Sequence, residues 1–305
     1  MAYTVFGAGS IGTVLAGLLA HAGVDVRLAG RNATGRLHLE GDDETVDVRV
    51  PVAVRPEGTI LLCVHAPDVA DLCRGWKGRT VVTFQNGVES EAVAARHCEV
   101  IGGVWRMTCT LVEPGVARFL KRGRIVVGRW PEGADEGVRG LAADLGRAGF
   151  DVGVSEDILR DKWLKLFANL TSAPNALVRR RDHGRPEFGA VKAALLEEAR
   201  EVFKAAGVDA RSCDGRDASV DEEIERQRAS RARRRPVFNA TWRQLSLGRE
   251  PKEKYHDTVV QLASEHGVEA SRNLTMLQLL EAARAPECYS VESLFTAICG
   301  TAGGS

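Results

Sequence analysis

A chain of 305 residues has room for two ordinary domains with full hydrophobic cores. Lysine plus arginine and aspartate plus glutamate both number 41, so the formal net charge is zero and gives no support to a nucleic-acid or membrane-surface role. No apolar run approaches the ~18 residues that span a bilayer, the first residues lack the basic stretch of a secretory signal, and the seven scattered cysteines form no CxxC or Cys/His cluster, so reduced thiols, no metal and a cytoplasmic location are expected.

The chain opens with a β-branched and aromatic run at residues 3–6. Gly7-Ala8-Gly9-Ser10-Ile11-Gly12 follows at once, then an Ala/Leu-rich helix over 11–21 and a second strand over 24–29. Strand, GxGxxG, helix and strand in this order is the context that turns a glycine pattern into a dinucleotide site. Gly7 allows the tight turn and Gly9 lets the backbone approach a pyrophosphate. Gly12 permits close helix–strand packing, and the helix N-terminus attracts the anion. The second strand runs into Ala29-Gly30-Arg31-Asn32, without the acid that NAD sites carry there. Arg31 is instead suited to pair with a 2′-phosphate, so NADP(H) is the expected cofactor.

Residues 45–50, 59–64, 80–84 and 100–104 read as further strands, with a helix over 89–97. Alternating strands and helices predict a parallel α/β sheet with ligands at the strand carboxyl ends. His65 and Asn86 fall at two such ends and are candidates for the cofactor side of the site. Residues 107–112, 116–119 and 124–127 read as a β-meander joined by Pro114-Gly115 and Lys121-Arg122-Gly123. A helix over 136–148 and a strand over 151–154 close this half. The prediction is an N-terminal Rossmann domain over 1–156 and an all-helical domain over 157–305.

In the helical half, Trp163, Leu166, Phe167 and Leu170 form one apolar stripe. Lys165 and Asn169, four apart, share another face. A proton donor and an amide so placed suit a substrate carbonyl, although on spacing alone a solvated polar face is the favoured reading. Helices are predicted over 187–206, 255–266 and 271–284. Residues 221–235 carry Arg226, Arg228, Arg231, Arg233, Arg234 and Arg235. A solvated helical face is the favoured reading of that run, over a basic rim that attracts an acidic substrate.

Several separated stretches resemble the ketopantoate reductase family (2-dehydropantoate 2-reductases). They are the Gly7 to Gly12 loop, Arg31, Gln85-Asn86-Gly87, Pro114-Gly115-Val116, Lys165-Leu166-Phe167-Ala168-Asn169 and Trp242-Arg243-Gln244-Leu245-Ser246-Leu247-Gly248-Arg249. They occur in the family's order and cover nearly the whole chain. The resemblance implies an NADPH-dependent reductase of a 2-keto acid or related carbonyl compound, with a small carboxylate as substrate and a homodimer as one assembly. It implies Lys165 as the general acid, Asn86 beside the nicotinamide and reacting carbon, and Asn169 on the substrate.

The departures gather on the substrate side. Ala173 stands where the family often has a second asparagine. The family's carboxylate-binding serine falls at Ala240, leaving Asn239 and Thr241 as candidate replacements. Val64-His65-Ala66-Pro67-Asp68 replaces a Val-Lys-x-x-Gln pattern. The family's late glutamate falls on Glu253, as a catalytic partner, or on Glu250, as a substrate contact, because this segment is one residue longer. The alternatives are a non-catalytic NADP(H) sensor on the same fold and an imine or other hydroxyacid dehydrogenase.

Overall fold

β1 (Tyr3–Phe6), α1 (Ser10–His21) and β2 (Val26–Ala29) open the chain in the order read from the sequence. β3 (Arg36–Glu40), β4 (Thr45–Arg49), β5 (Thr59–Leu62), α2 (Val69–Arg74) and β6 (Thr80–Thr83) follow. Then come α3 (Ser90–Ala95), β7 (Glu99–Arg106), β8 (Cys109–Glu113), β9 (Val116–Phe119) and β10 (Arg124–Arg129). α4 (Glu136–Arg147), β11 (Asp151–Val154) and α5 (Ile158–Asn169) complete the first part. The computed structural model describes residues 1–229, 239–251 and 255–300. It divides into two units, Met1–Lys162 and Trp163–Ser305.

The first unit is built on a seven-stranded sheet of order β11-β10-β7-β6-β5-β1-β2. From β2 to β7 every neighbour is parallel. β5 and β6 are apolar on successive residues and buried on both faces, as central parallel strands require. From β1 the chain goes to β2 on one side and later to β5 on the other. That reversal makes the carboxyl end of β1 a switch point, where such sheets bind ligands.

Residues 107–127 do not form one meander. β8 and β9 pair antiparallel in a second sheet of order β4-β3-β9-β8, while β10 joins the main sheet antiparallel to β7. β3 escaped the sequence reading, although Leu37 and Leu39 alternate into the core with His38 and Glu40 less buried. α1 is apolar nearly all round, because both sides are covered. Leu15, Leu18 and Leu19 share a core with Val5 and Leu28 of the main sheet and with Leu37, Leu39 and Phe119 of the second.

The second unit holds the later turns of α5, then α6 (Ser172–Leu177), α7 (Pro186–Ala205), α8 (Val220–Arg228), α9 (Ala240–Ser246), α10 (Tyr255–Glu265), α11 (Ser271–Ala282) and α12 (Val291–Cys299). α7 is its central helix. Phe188, Val191 and Leu195 are buried with Leu177, Met276, Leu294 and Ile298. The charged run begins as a helix, with Ser219 and Glu222 forming a capping box at the start of α8. Arg226 pairs with Glu223, and Arg228 with Glu197 and Glu225. Arg231, Arg233, Arg234 and Arg235 lie outside the described residues. Among the described residues no helix is long and apolar enough to cross a membrane, and no cluster of three or more His, Cys, Asp or Glu residues suits a metal ion.

Candidate active site

The loop after β1 has the geometry its glycines predict. Gly7 has φ +113°, and a Cβ on it would lie 2.5 Å from the Cys63 carbonyl oxygen on the neighbouring strand. Gly12 lies in the first turn of α1, where a Cβ would meet the Gly7 oxygen at 1.8 Å. Gly9 is the N-cap of α1 with extended backbone, and nothing lies within 4 Å of the position its Cβ would take. The first turn of α1 carries no acid. Its unpaired backbone N–H groups and the helix dipole therefore favour an anion over Gly9. Gly30, with φ +126°, turns the end of β2 where a Cβ on it would stand 3.4 Å from the Gly7 backbone, and hands the chain to the exposed Arg31. A tight turn, open space above Gly9 and a cation past β2 fit a bound dinucleotide. Burial pushes the Cys63 thiol up, and Cys109 to about 11, so both stay protonated beside the loop.

Gln85, at the end of β6, ties neighbouring strand ends together. Its side-chain amide donates to the carbonyls of Leu62 at 2.9 Å and Val64 at 3.0 Å. Its backbone carbonyl accepts a 3.0 Å hydrogen bond from Lys162 Nζ. Lys162 also pairs with Glu91, which accepts from Thr83 Oγ1 at 2.6 Å. This ion pair is sealed from water, with Lys162 2% and Glu91 0% exposed. Asn86 follows half-buried, and Gly87, with φ +88°, turns the chain away. His65, past the end of β5, is exposed and starts the 3-10 turn Ala66–Asp68. The first unit thus brings the 7–12 loop, Arg31, His65 and Asn86 to the carboxyl ends of β1, β2, β5 and β6. Sequence reading missed Lys162 and Glu91. The available signal was register, since Lys162 is four residues from both Ile158 and Leu166, each fully buried.

In the second unit the apolar stripe of α5 is an anchor. Trp163 and Phe167 pack against the Phe203 ring of α7, with centroids 5.1 and 5.8 Å away. Lys165 and Asn169 are half-buried on a different face of the helix. Asn239 is the N-cap of α9: it accepts from the Trp242 N–H at 2.8 Å and donates to the Ser172 carbonyl at 2.7 Å. Thr241 is buried, Glu250 is exposed, and Glu253 lies outside the described residues. The Arg180 guanidinium stands over the Trp242 ring at 5.9 Å, and the Trp242 indole donates to Glu287 at 3.3 Å.

A doubly wound sheet with a glycine loop of the dinucleotide-binding form, followed by a unit that is helical among its described residues, places the chain in the class of two-unit Rossmann-type folds. Residues 3–132 match the family model described as ketopantoate reductase PanE/ApbA. The chain is 30% identical over 186 residues to the 2-dehydropantoate 2-reductase of Pyrococcus horikoshii, covering 56% of this chain and 61% of that protein. It is 27% identical over 310 residues to the Halobacterium salinarum 2-dehydropantoate 2-reductase, covering 93% and 99% of the two chains. The fold is shared with a PanE/ApbA family ketopantoate reductase from Ralstonia eutropha JMP134, at TM-score 0.77 and 24% identity over 93% of this chain and 98% of that one. A D-mandelate dehydrogenase solved with NADH and anilino(oxo)acetate shares it at TM-score 0.76 and 17% identity, over 96% and 99%. The chain is similar to the ketopantoate reductase family, through the family model over residues 3–132 and through these relatives.

Proposed function

We propose that this chain is an NADPH-dependent reductase of a 2-keto acid or a closely related carbonyl compound. The observation that carries the reading is the Gly7 to Gly12 loop, open above Gly9 and followed past β2 by Arg31 in place of an acid. Arg31 binds the 2′-phosphate, and the α1 N-terminus holds the pyrophosphate. The dinucleotide supplies the hydride. Lys165 is the general acid: its ammonium stabilises the charge developing on the carbonyl oxygen and then protonates it. Asn86 orients the reacting groups, Asn169 binds the substrate, and Glu250 or Glu253 partners Lys165 or the substrate. The relatives' names, 2-dehydropantoate 2-reductase and D-mandelate dehydrogenase, support a substrate with a carboxylate beside the reacting carbon.

The changes at Ala173 and Ala240, and the use of Asn239 as a helix cap, support a substrate other than ketopantoate. A hydrogen-bonding group lost from a polar pocket shifts discrimination by about 10²–10⁵. The seven thiols support action in the reducing cytoplasm. A dimeric ketopantoate reductase from Staphylococcus aureus among the structural neighbours supports a homodimer.

The test is NADPH oxidation with a panel of 2-keto acids, ketopantoate included. Lys165→Ala is expected to lower kcat by about 10²–10⁴ while leaving NADPH affinity in place. Full activity in that variant, or loss of cofactor binding with it, refutes the assignment. Tight NADPH binding without turnover of any substrate makes the chain a sensor.

A further inference from the structure

The buried Lys162–Glu91 pair needs a reason to exist. Removing two charges from water costs more than their attraction usually returns, and apolar residues of similar volume commonly stabilise such a site as well or better. Stability therefore does not explain the pair. What an apolar pair cannot do is hold a carbonyl. Lys162 Nζ reaches the Gln85 carbonyl at 3.0 Å, and Glu91, fixed by Thr83 Oγ1 at 2.6 Å, keeps the ammonium aimed. The Gln85 side chain is held at the same time by the carbonyls of Leu62 and Val64.

The Gln85 carbonyl belongs to the peptide whose N–H is that of Asn86. With that carbonyl tethered on one side and the Gln85 side chain on the other, the peptide plane that launches Asn86 has one orientation. We propose that Lys162, braced by Glu91, is a positioning residue that acts through Asn86. It fixes the amide for hydride transfer and does not itself touch substrate or cofactor. This rests on the reading of the chain as an NADPH-dependent reductase in which Asn86 orients the reacting groups. An amide displaced by about an ångström costs a reaction of this kind about a hundredfold, so a device that fixes it is proportionate.

The test uses the full chain. Lys162→Met alone leaves Glu91 buried without its cation and is liable to unfold, so the informative variant is Lys162→Met/Glu91→Met, which removes both charges. It is expected to fold, to bind NADPH within about threefold of wild type, and to lose about 10–100-fold in kcat with little change in KM. The deuterium isotope effect on kcat with labelled NADPH should rise, because hydride transfer becomes more limiting. Backbone amide exchange at Asn86 and Gly87 should quicken by about tenfold or more. In an Asn86→Ala background the same pair replacement should cost less than about threefold in kcat, since nothing remains to be positioned. Unchanged exchange at those amides, full kcat, or losses that multiply with those of Asn86→Ala overturn the proposal while the reductase reading stands. A wild-type chain that turns over no 2-keto acid overturns the reading and the proposal together.

Discussion

Gly9 and Gly12 belong to one six-residue motif, yet the structure predicts opposite outcomes for adding a methyl group to each. At Gly12 the new Cβ would lie 1.8 Å from the Gly7 carbonyl oxygen, 3.0 Å from the Gly7 carbonyl carbon and 3.2 Å from Cys63 Cβ. Real Cβ atoms stay beyond 3.0 Å, so α1 and the β1 turn must part by about 1.2 Å, and the obstacle is backbone that no rotamer change relieves. Gly12→Ala should therefore cost at least the upper end of ordinary overpacking, about 3 kcal/mol. For a unit of this size that lowers Tm by about 6–12 °C. At Gly9 the backbone is φ −84°, ψ −167°, which alanine adopts freely, and the space around it is open. Gly9→Ala should leave Tm within about 2 °C of wild type, as for an unhindered surface change. The same open space is where the pyrophosphate is to approach, so Gly9→Ala should weaken NADPH by about tenfold or more. Calorimetry of the ligand-free proteins and a fluorescence titration with NADPH separate the two effects. A Gly9→Ala protein with unaltered NADPH affinity would falsify the placement of the cofactor over this loop. A Gly12→Ala protein of wild-type Tm would refute the packing argument.

Arg31 is exposed, and if it reads the 2′-phosphate by charge as proposed, Arg31→Ala should weaken NADPH by about 10–100-fold, the worth of a charged hydrogen bond, and NADH hardly at all; equal loss for both cofactors refutes that role. His256 is buried in the second unit with Nδ1 2.7 Å from Asn273 Oδ1. The Asn273 amide nitrogen is committed to the Leu195 carbonyl and to Glu198, so its oxygen accepts and His256 Nδ1 carries the proton. Burial lowers the His256 pKa from 6.5 to about 4. The unfolded chain therefore takes up the proton first as the pH falls. The stability associated with the neutral ring is intact above pH 6.5 and drains away towards pH 4, by about 3 kcal/mol in all. Urea midpoints measured from pH 7.5 to 4 should show a decline that is shallower in His256→Gln, and parallel curves refute the assignment.

What the sequence disclosed and what it concealed differ in how far apart the interacting residues lie. β1, the glycine loop, α1, β2 and Arg31 are contiguous, and each step is decided by local chemistry, so they were legible residue by residue. The fate of β8, β9 and β10 was not. Residues 107–127 alternate and turn like a meander, but whether a strand joins its neighbour or a remote sheet depends on pairing with β3 and β7. β3 itself passed unread because its five residues offer only two apolar alternations. The helical second unit was legible as helices, from period and caps. Asn239 shows the limit there: one amide serves equally as a ligand or as an N-cap, and Trp242, three residues on, donates its N–H to it.

The two lysines of α5 show which sequence property carries such distinctions. Lys162 and Lys165 are the same residue type, three apart on one helix, and composition treats them alike. Their registers differ. Lys162 falls in line with Ile158 and Leu166, both fully buried, so its charge must meet a partner inside the protein or be neutralised. Lys165 lies off that line and is half-buried, on a different face of the helix. The partner of Lys162 lies 71 residues away on α3, and no spacing rule points to it. The need for a partner, however, is stated by the helical period alone. A lysine in the apolar register of a helix is thus a sequence-level signal to search the other half of a domain for a buried carboxylate. Here the search ends at Glu91, one turn beyond the Gln85-Asn86-Gly87 corner that the pair holds in place.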